Sequence, residues 1–163
     1  MRVLVTAASK HGSTAEMAEV IAQVLMEHGV DATAMPVAEV TAVTDYDAVV
    51  LGSAVYGGRW FAAGRDFVQQ WTEALAARPV WLFSSGPIGD PPRPDEDPVD
   101  VTAIVEAIGA REHRIFAGRL DRSRLSYAER AIVIAFRAPY GDFRNWPEIR
   151  AWAAGIAEAV ASA

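Results

Sequence analysis

Short apolar runs alternate along this chain with longer stretches in which apolar residues recur every three or four positions. Arg2–Thr6, Val30–Met35, Asp47–Leu51, Val80–Phe83 and Arg114–Ala117 read as strands. The central ones are continuously apolar, as in Val3-Leu4-Val5 and Ala48-Val49-Val50-Leu51, rather than alternating. Thr14–His28, Ala62–Ala76, Val99–Ile108, Leu125–Arg137 and Trp146–Ala161 read as helices. Met17, Ile21, Val24 and Leu25 form one apolar face, and Phe67, Val68, Trp71 and Leu75 another. Continuously apolar strands separated by helices predict an α/β fold: a doubly wound, five-stranded parallel sheet with helices on both faces.

Composition narrows the class. At 163 residues the chain is sized for one domain, 1–163, with no internal repeat. The net charge of −6 argues against a nucleic-acid partner, which requires a basic face. With no cysteine, disulfides, thiolate catalysis and cysteine-held clusters are excluded, and a cytoplasmic setting is expected. The first apolar run is too short for a signal peptide, and no stretch has the length of a membrane-spanning helix. The acids Asp90, Asp95, Glu96, Asp97 and Asp100 are interrupted by prolines and lack a histidine, so no metal site is expected.

In an open parallel sheet, ligands bind beyond the carboxyl ends of the strands. Three loops leave those ends with small, polar or glycine-rich sequences: Ser9–Thr14, Gly52–Trp60 and Ser84–Asp90. The first, Ser9-Lys10-His11-Gly12-Ser13-Thr14, lies between a strand and a helix. It therefore aims backbone N–H groups and a helix's positive end at one spot, with three hydroxyls around them, as a phosphate monoester requires. An ordinary helix cap after a turn glycine is the alternative for that loop alone. Lys10 in it is the only lysine, against fourteen arginines. Gly52 to Gly57 has the glycine spacing of a Walker loop, but Gly58 stands where that loop needs lysine.

Together these segments resemble the flavodoxin family over nearly the whole chain. The resemblance rests on the first loop, on Gly52-Ser53-Ala54-Val55-Tyr56-Gly57-Gly58 before a helix with Phe67-Val68, and on Ser84-Ser85-Gly86-Pro87. An arginine-rich extra helix after the fifth strand, leading into Asp142-Phe143-Arg144-Asn145-Trp146, is similar to flavodoxin-type, menaquinone-dependent protoporphyrinogen IX dehydrogenases and their relatives. The resemblance implies strand order 2-1-3-4-5 and FMN as cofactor. It implies that Ser9, Lys10, His11, Gly12, Ser13 and Thr14 wrap the phosphate, although flavodoxin phosphate loops usually use neutral donors. Ser53, Ala54, Val55, Tyr56, Gly57 and Gly58 would line the isoalloxazine ring, with Tyr56 stacked on it and the glycines allowing positive φ and close approach. Trp60 is expected instead to start the next helix and pack. Ser85, Gly86, Pro87, Ile88 and Gly89 complete the implied site without the second aromatic usual in electron carriers.

The segment Arg111–Arg137 holds seven arginines against three acids. Its helix places Tyr127, Ile132, Ile134 and Phe136 on a wide apolar arc beside Ser126, Arg130 and Arg137. That pattern fits contact with anionic lipid at the inner face of a membrane through Arg122–Arg137, or with a porphyrin. Packing on the domain core or a dimer interface is the alternative. Three functions follow as candidates. One is an FMN oxidoreductase acting on a porphyrinogen-like substrate with a quinone acceptor. The second is an electron carrier that docks to redox proteins. The third, a flavin-free interaction module, is disfavoured by the three flavin-compatible loops. No catalytic side chain is identified, because the redox chemistry belongs to the flavin.

Overall fold

The computed structural model describes residues 1–86 and 98–162. Strands β1 (Arg2–Ala8), β2 (Asp31–Pro36) and β3 (Ala48–Tyr56) are followed by a two-residue strand, β4 (Arg59–Trp60). Strands β5 (Val80–Ser85) and β6 (Glu112–Phe116) complete the main sheet. Its parallel order is β2-β1-β3-β5-β6, with β4 folded back antiparallel on the end of β3. Leaving the short β4 aside, this is the expected order 2-1-3-4-5.

Helices α1 (Ser13–Glu27) and α5 (Trp146–Ala161) cover one face, and α2 (Ala62–Ala76) and α3 (Val101–Ile108) the other. The pleat sorts the strand residues between them. Val3, Val5, Val50, Trp81 and Phe83 pack under α1 and α5, while Leu4, Val49, Leu51, Val80 and Leu82 pack under α2 and α3. Both sets are buried, which is why these strands read as unbroken apolar runs. The tightest spot is Gly52, opposite Phe83 in register. A Cβ there would stand 2.1 Å from the Phe83 ring, so the sheet needs glycine at that position.

Three expectations are corrected. Trp60 does not start a helix: it pairs with Val55 in the β3–β4 hairpin. The hairpin's turn residues, Gly57 and Gly58, have φ of 59° and 75°. Both signs are positive, as a two-residue type I′ connection demands. No protein atom lies within 4 Å of where a Cβ on either would stand, so within the chain it is the backbone conformation that requires glycine. The helix expected over Leu125–Arg137 is shorter, α4 (Tyr127–Phe136), preceded by a separate 3-10 turn at Arg122–Arg124. Ser126 caps α4 in a capping box with Glu129, which makes the break before Tyr127. Finally, α4 has no buried residue, so it is not a core helix, and Tyr127, Ile134 and Phe136 are 92%, 74% and 80% exposed. Strands β7 (Arg119–Leu120) and β8 (Gly141–Asp142) pair antiparallel and bracket it.

Candidate functional site

At the carboxyl edge of the sheet the ends of β1, β3 and β5 converge, because β1 and β5 flank β3 in register. A cleft of about 230 Å³ opens there. Ser9, His11, Ser13, Thr14, Ala54, Val55, Tyr56, Ser85 and Gly86 line it, so all three loops anticipated from the sequence meet in one cavity. Lys10, Gly12, Ser53, Gly57 and Gly58 neighbour those residues along the chain without lining the cleft. Pro87, Ile88 and Gly89 lie outside the described residues, as do Asp90, Asp95, Glu96 and Asp97.

The first loop is built around the start of α1. Ser9 Oγ accepts from Gly12 N at 3.1 Å and closes the turn. Gly12 occupies the N-cap with φ 88° and supplies no side-chain cap. The first N–H groups of a helix have no acceptor within it. Ser13 Oγ is buried with no partner, an orphaned hydroxyl at the same pole. An uncapped helix start beside an unsatisfied buried hydroxyl fits a phosphate group.

The second loop presents Tyr56, 41% exposed and held edge-on by Phe61 and His11 at 5.7 and 6.5 Å between ring centroids. Burial, and then the Glu129 charge, push the Tyr56 phenol up to about 12, so it stays neutral. Ser53, by contrast, is fully buried and structural: its Oγ accepts from Phe61 N at 3.1 Å and donates to the Ala54 carbonyl. Trp60 locks the loop from beneath, its indole N–H donating to Ser84 Oγ at 2.8 Å, with His113 Nε2 a further 2.7 Å beyond.

The remaining wall was not anticipated. Gly118, Arg119, Leu120, Arg124 and Leu125 close one side of the cleft, and Ile132, Val133 and Phe136 of α4 roof it. Polar contacts tie this segment to the first loop. His11 Nε2–H donates to Glu129 at 2.8 Å, and Lys10 lies 3.3 Å from the same carboxylate. The Ser126 amide, followed by His11, holds the Glu129 carboxyl down at about 2. Arg124 and Arg119 donate to the His11 carbonyl at 2.8 and 3.4 Å. Arg119 also reaches Glu16 of α1, which Arg144 engages as well. Hydrogen bonding from Arg144 lowers the Glu16 pKa. Arg144 is nearly buried, grips Asp142 with two nitrogens and stacks on Trp146, so it fastens β8 to α1 and α5. The sequence signal for this wall was the arginine surplus of 111–137; its target, the phosphate loop more than 100 residues earlier, left no local trace.

A doubly wound α/β domain with a phosphate-type loop after its first strand and an aromatic after its third is a flavodoxin-like architecture. The profile described as a flavodoxin domain matches residues 4–143, and the chain belongs to that family. Its cofactor is FMN. Among solved structures it is similar to a flavodoxin from the domain Archaea, with TM-score 0.67 and 18% identity over 98% of this chain and 99% of that one. Two-electron reduced flavodoxin from Megasphaera elsdenii matches with TM-score 0.64 and 18% identity, over 97% and 99% of the two chains. Rubredoxin oxygen:oxidoreductase from Desulfovibrio gigas matches with TM-score 0.65 and 14% identity, over 99% of this chain but 36% of its own. No curated protein matches the sequence at a significant level. Among the described residues no helix is long and apolar enough to cross a membrane, and no group of side chains is arranged to hold a metal ion.

Proposed function

We propose that this FMN-binding redox protein is an oxidoreductase acting on a flat, apolar organic molecule, with a porphyrinogen-like donor and a quinone acceptor as its reactants. The observation that carries this is the roof. Ile132, Val133 and Phe136 of α4 line the same cleft as Tyr56 and the first loop. An electron carrier docks protein partners against an open flavin edge, whereas apolar side chains over the cleft favour a small guest.

FMN, when bound, supplies the one- and two-electron chemistry. The protein's part is to bind and orient. Ser9 through Thr14 receive the phosphate at the positive pole of α1, with the Ser13 hydroxyl as a spare donor. Tyr56, neutral and half-exposed, offers a ring face for the flavin. Ile132, Val133 and Phe136 of α4 give the cleft an apolar wall.

Anaerobic turnover of the FMN-loaded protein with protoporphyrinogen and menaquinone tests the reading, beside a reduced-ferredoxin control. Electron exchange with the small molecules is expected. Exchange with ferredoxin alone would instead identify a carrier.

A further inference from the structure

Two guanidinium groups stand where an isolated helix start would repel them. Arg124 Nη1 lies over the first turn of α1, 2.8 Å from the His11 carbonyl. A Cβ on Gly12 would stand 2.8 Å from that nitrogen and 3.9 Å from Arg119 Nη2. Cations are unfavourable at the positive end of a helix, where anions are stabilised. Each arginine has an acid behind it: Glu16 lies 3.3 Å from Arg119, and Asp121 lies 3.6 Å from Arg124 Nε. Arg124 Nη1 and Arg119 Nη2 nevertheless face the loop, both donating to the His11 carbonyl. The first residue of the same helix, Ser13, carries a buried hydroxyl with no hydrogen-bond partner. Both arginines line the cleft together with Ser9, Ser13 and Thr14.

From this juxtaposition we infer that Arg124, seconded by Arg119, is a ligand of the cofactor's phosphate. The charge for a dianionic phosphate monoester comes from the segment after the fifth parallel strand, and the loop itself contributes backbone and hydroxyl donors. Guanidinium groups suit this role because their planar fork matches phosphate oxygens. A phosphate held from both sides joins the first loop to the segment that carries α4, so the phosphate also fastens the roof. The inference rests on the FMN reading of the cleft and deepens it.

The test compares FMN with riboflavin, which lacks the phosphate, by flavin-fluorescence titration of the wild type, Arg124→Gln and Arg124→Lys. The Arg124 side chain is half-exposed, so both variants should fold, and a thermal melt checks this. Arg124→Gln should weaken FMN roughly tenfold or more and leave riboflavin unchanged, with Arg124→Lys recovering part of the loss. At saturation, FMN should also protect wild-type Arg130 and Arg137 from trypsin more strongly than riboflavin does. An unaltered FMN-to-riboflavin ratio in Arg124→Gln overturns the inference while the wild type's preference for FMN upholds the phosphate site. A wild type that binds both flavins equally overturns the phosphate site, and the inference with it.

Discussion

Glu129 is the residue on which α4 hangs, and replacing it with glutamine isolates the charge. Its Oε2 takes the His11 and Lys10 contacts at 2.8 and 3.3 Å, while Oε1 accepts from Ser126 N at 3.0 Å to complete the capping box. Glutamine also serves in a capping box, so that bond survives. What Glu129→Gln removes is two part-exposed, charge-assisted contacts, each worth about 0.5–1 kcal/mol. Because α4 contributes no buried residue, this loss of about 1–2 kcal/mol falls on local opening of the segment rather than on the sheet. The segment carries its own reporters, Arg130 and Arg137. When opening is faster than cleavage, trypsin reads the open population, so cutting there should accelerate about 5- to 30-fold. The melting temperature should barely move. The pH dependence has a definite sign. The Glu129 carboxyl, held at about 2 against an ordinary 4.5, lends stability that is complete above that ordinary value and lost as pH falls through about 2. Hydrogen exchange over 127–136, corrected for intrinsic rate, should show protection decaying across that interval in the wild type and a shallower decay in Glu129→Gln, where Glu16, Asp121 and Asp142 still titrate. Unchanged trypsin cleavage at neutral pH would refute the latch, and a fall in global stability would make α4 part of the core.

Two further predictions concern the cleft and the sheet beneath it. Tyr56→Ala should weaken FMN binding about tenfold and change the flavin absorption band, by loss of an aromatic contact worth about 0.5–1.5 kcal/mol plus its buried area; titration followed by absorbance checks both. Gly52→Ala should destabilise the fold by about 3 kcal/mol or more, because its Cβ would lie 2.1 Å from the Phe83 ring in a packed sheet. Urea denaturation measures this, and a loss below about 1 kcal/mol would show that Phe83 has room to move.

The parts of the fold that were legible in the sequence are those whose information is local. The runs Val3-Leu4-Val5 and Ala48–Leu51 are unbroken because both faces of each strand are covered, and together with the helices between them they point to a parallel sheet. The three loops at the strand ends announced themselves through glycine and hydroxyl content, and they do meet in one cleft. Gly57-Gly58 was legible as a place of positive φ but not as a hairpin turn, since the returning strand is two residues long and shows no periodicity. Trp60 was misplaced for the same reason. Its indole hydrogen bond to Ser84 is a contact between loops, which no pattern of 2 or 3.6 encodes.

The arginine-rich segment was legible only as charge. Seven arginines against three acids predict an anionic partner if the segment is read by itself. In the folded chain Arg119 meets Glu16 of α1 and Arg114 meets Glu148 of α5, so part of the surplus is spent within the protein. Arg119 and Arg124 place nitrogens on the His11 carbonyl before α1, while Arg111, Arg122 and Arg137 are exposed. The apolar residues of α4 divide in the same way, with Ile132 and Val133 in the cleft wall and Tyr127 and Ile134 outside it. A helix held by a capping box and a few polar contacts, over a cleft it lines with apolar groups, has little stability of its own. Whatever binds beneath it and touches those groups must stabilise it, by an amount set by ligand concentration over Kd. Filling the cleft and ordering the roof are therefore one equilibrium.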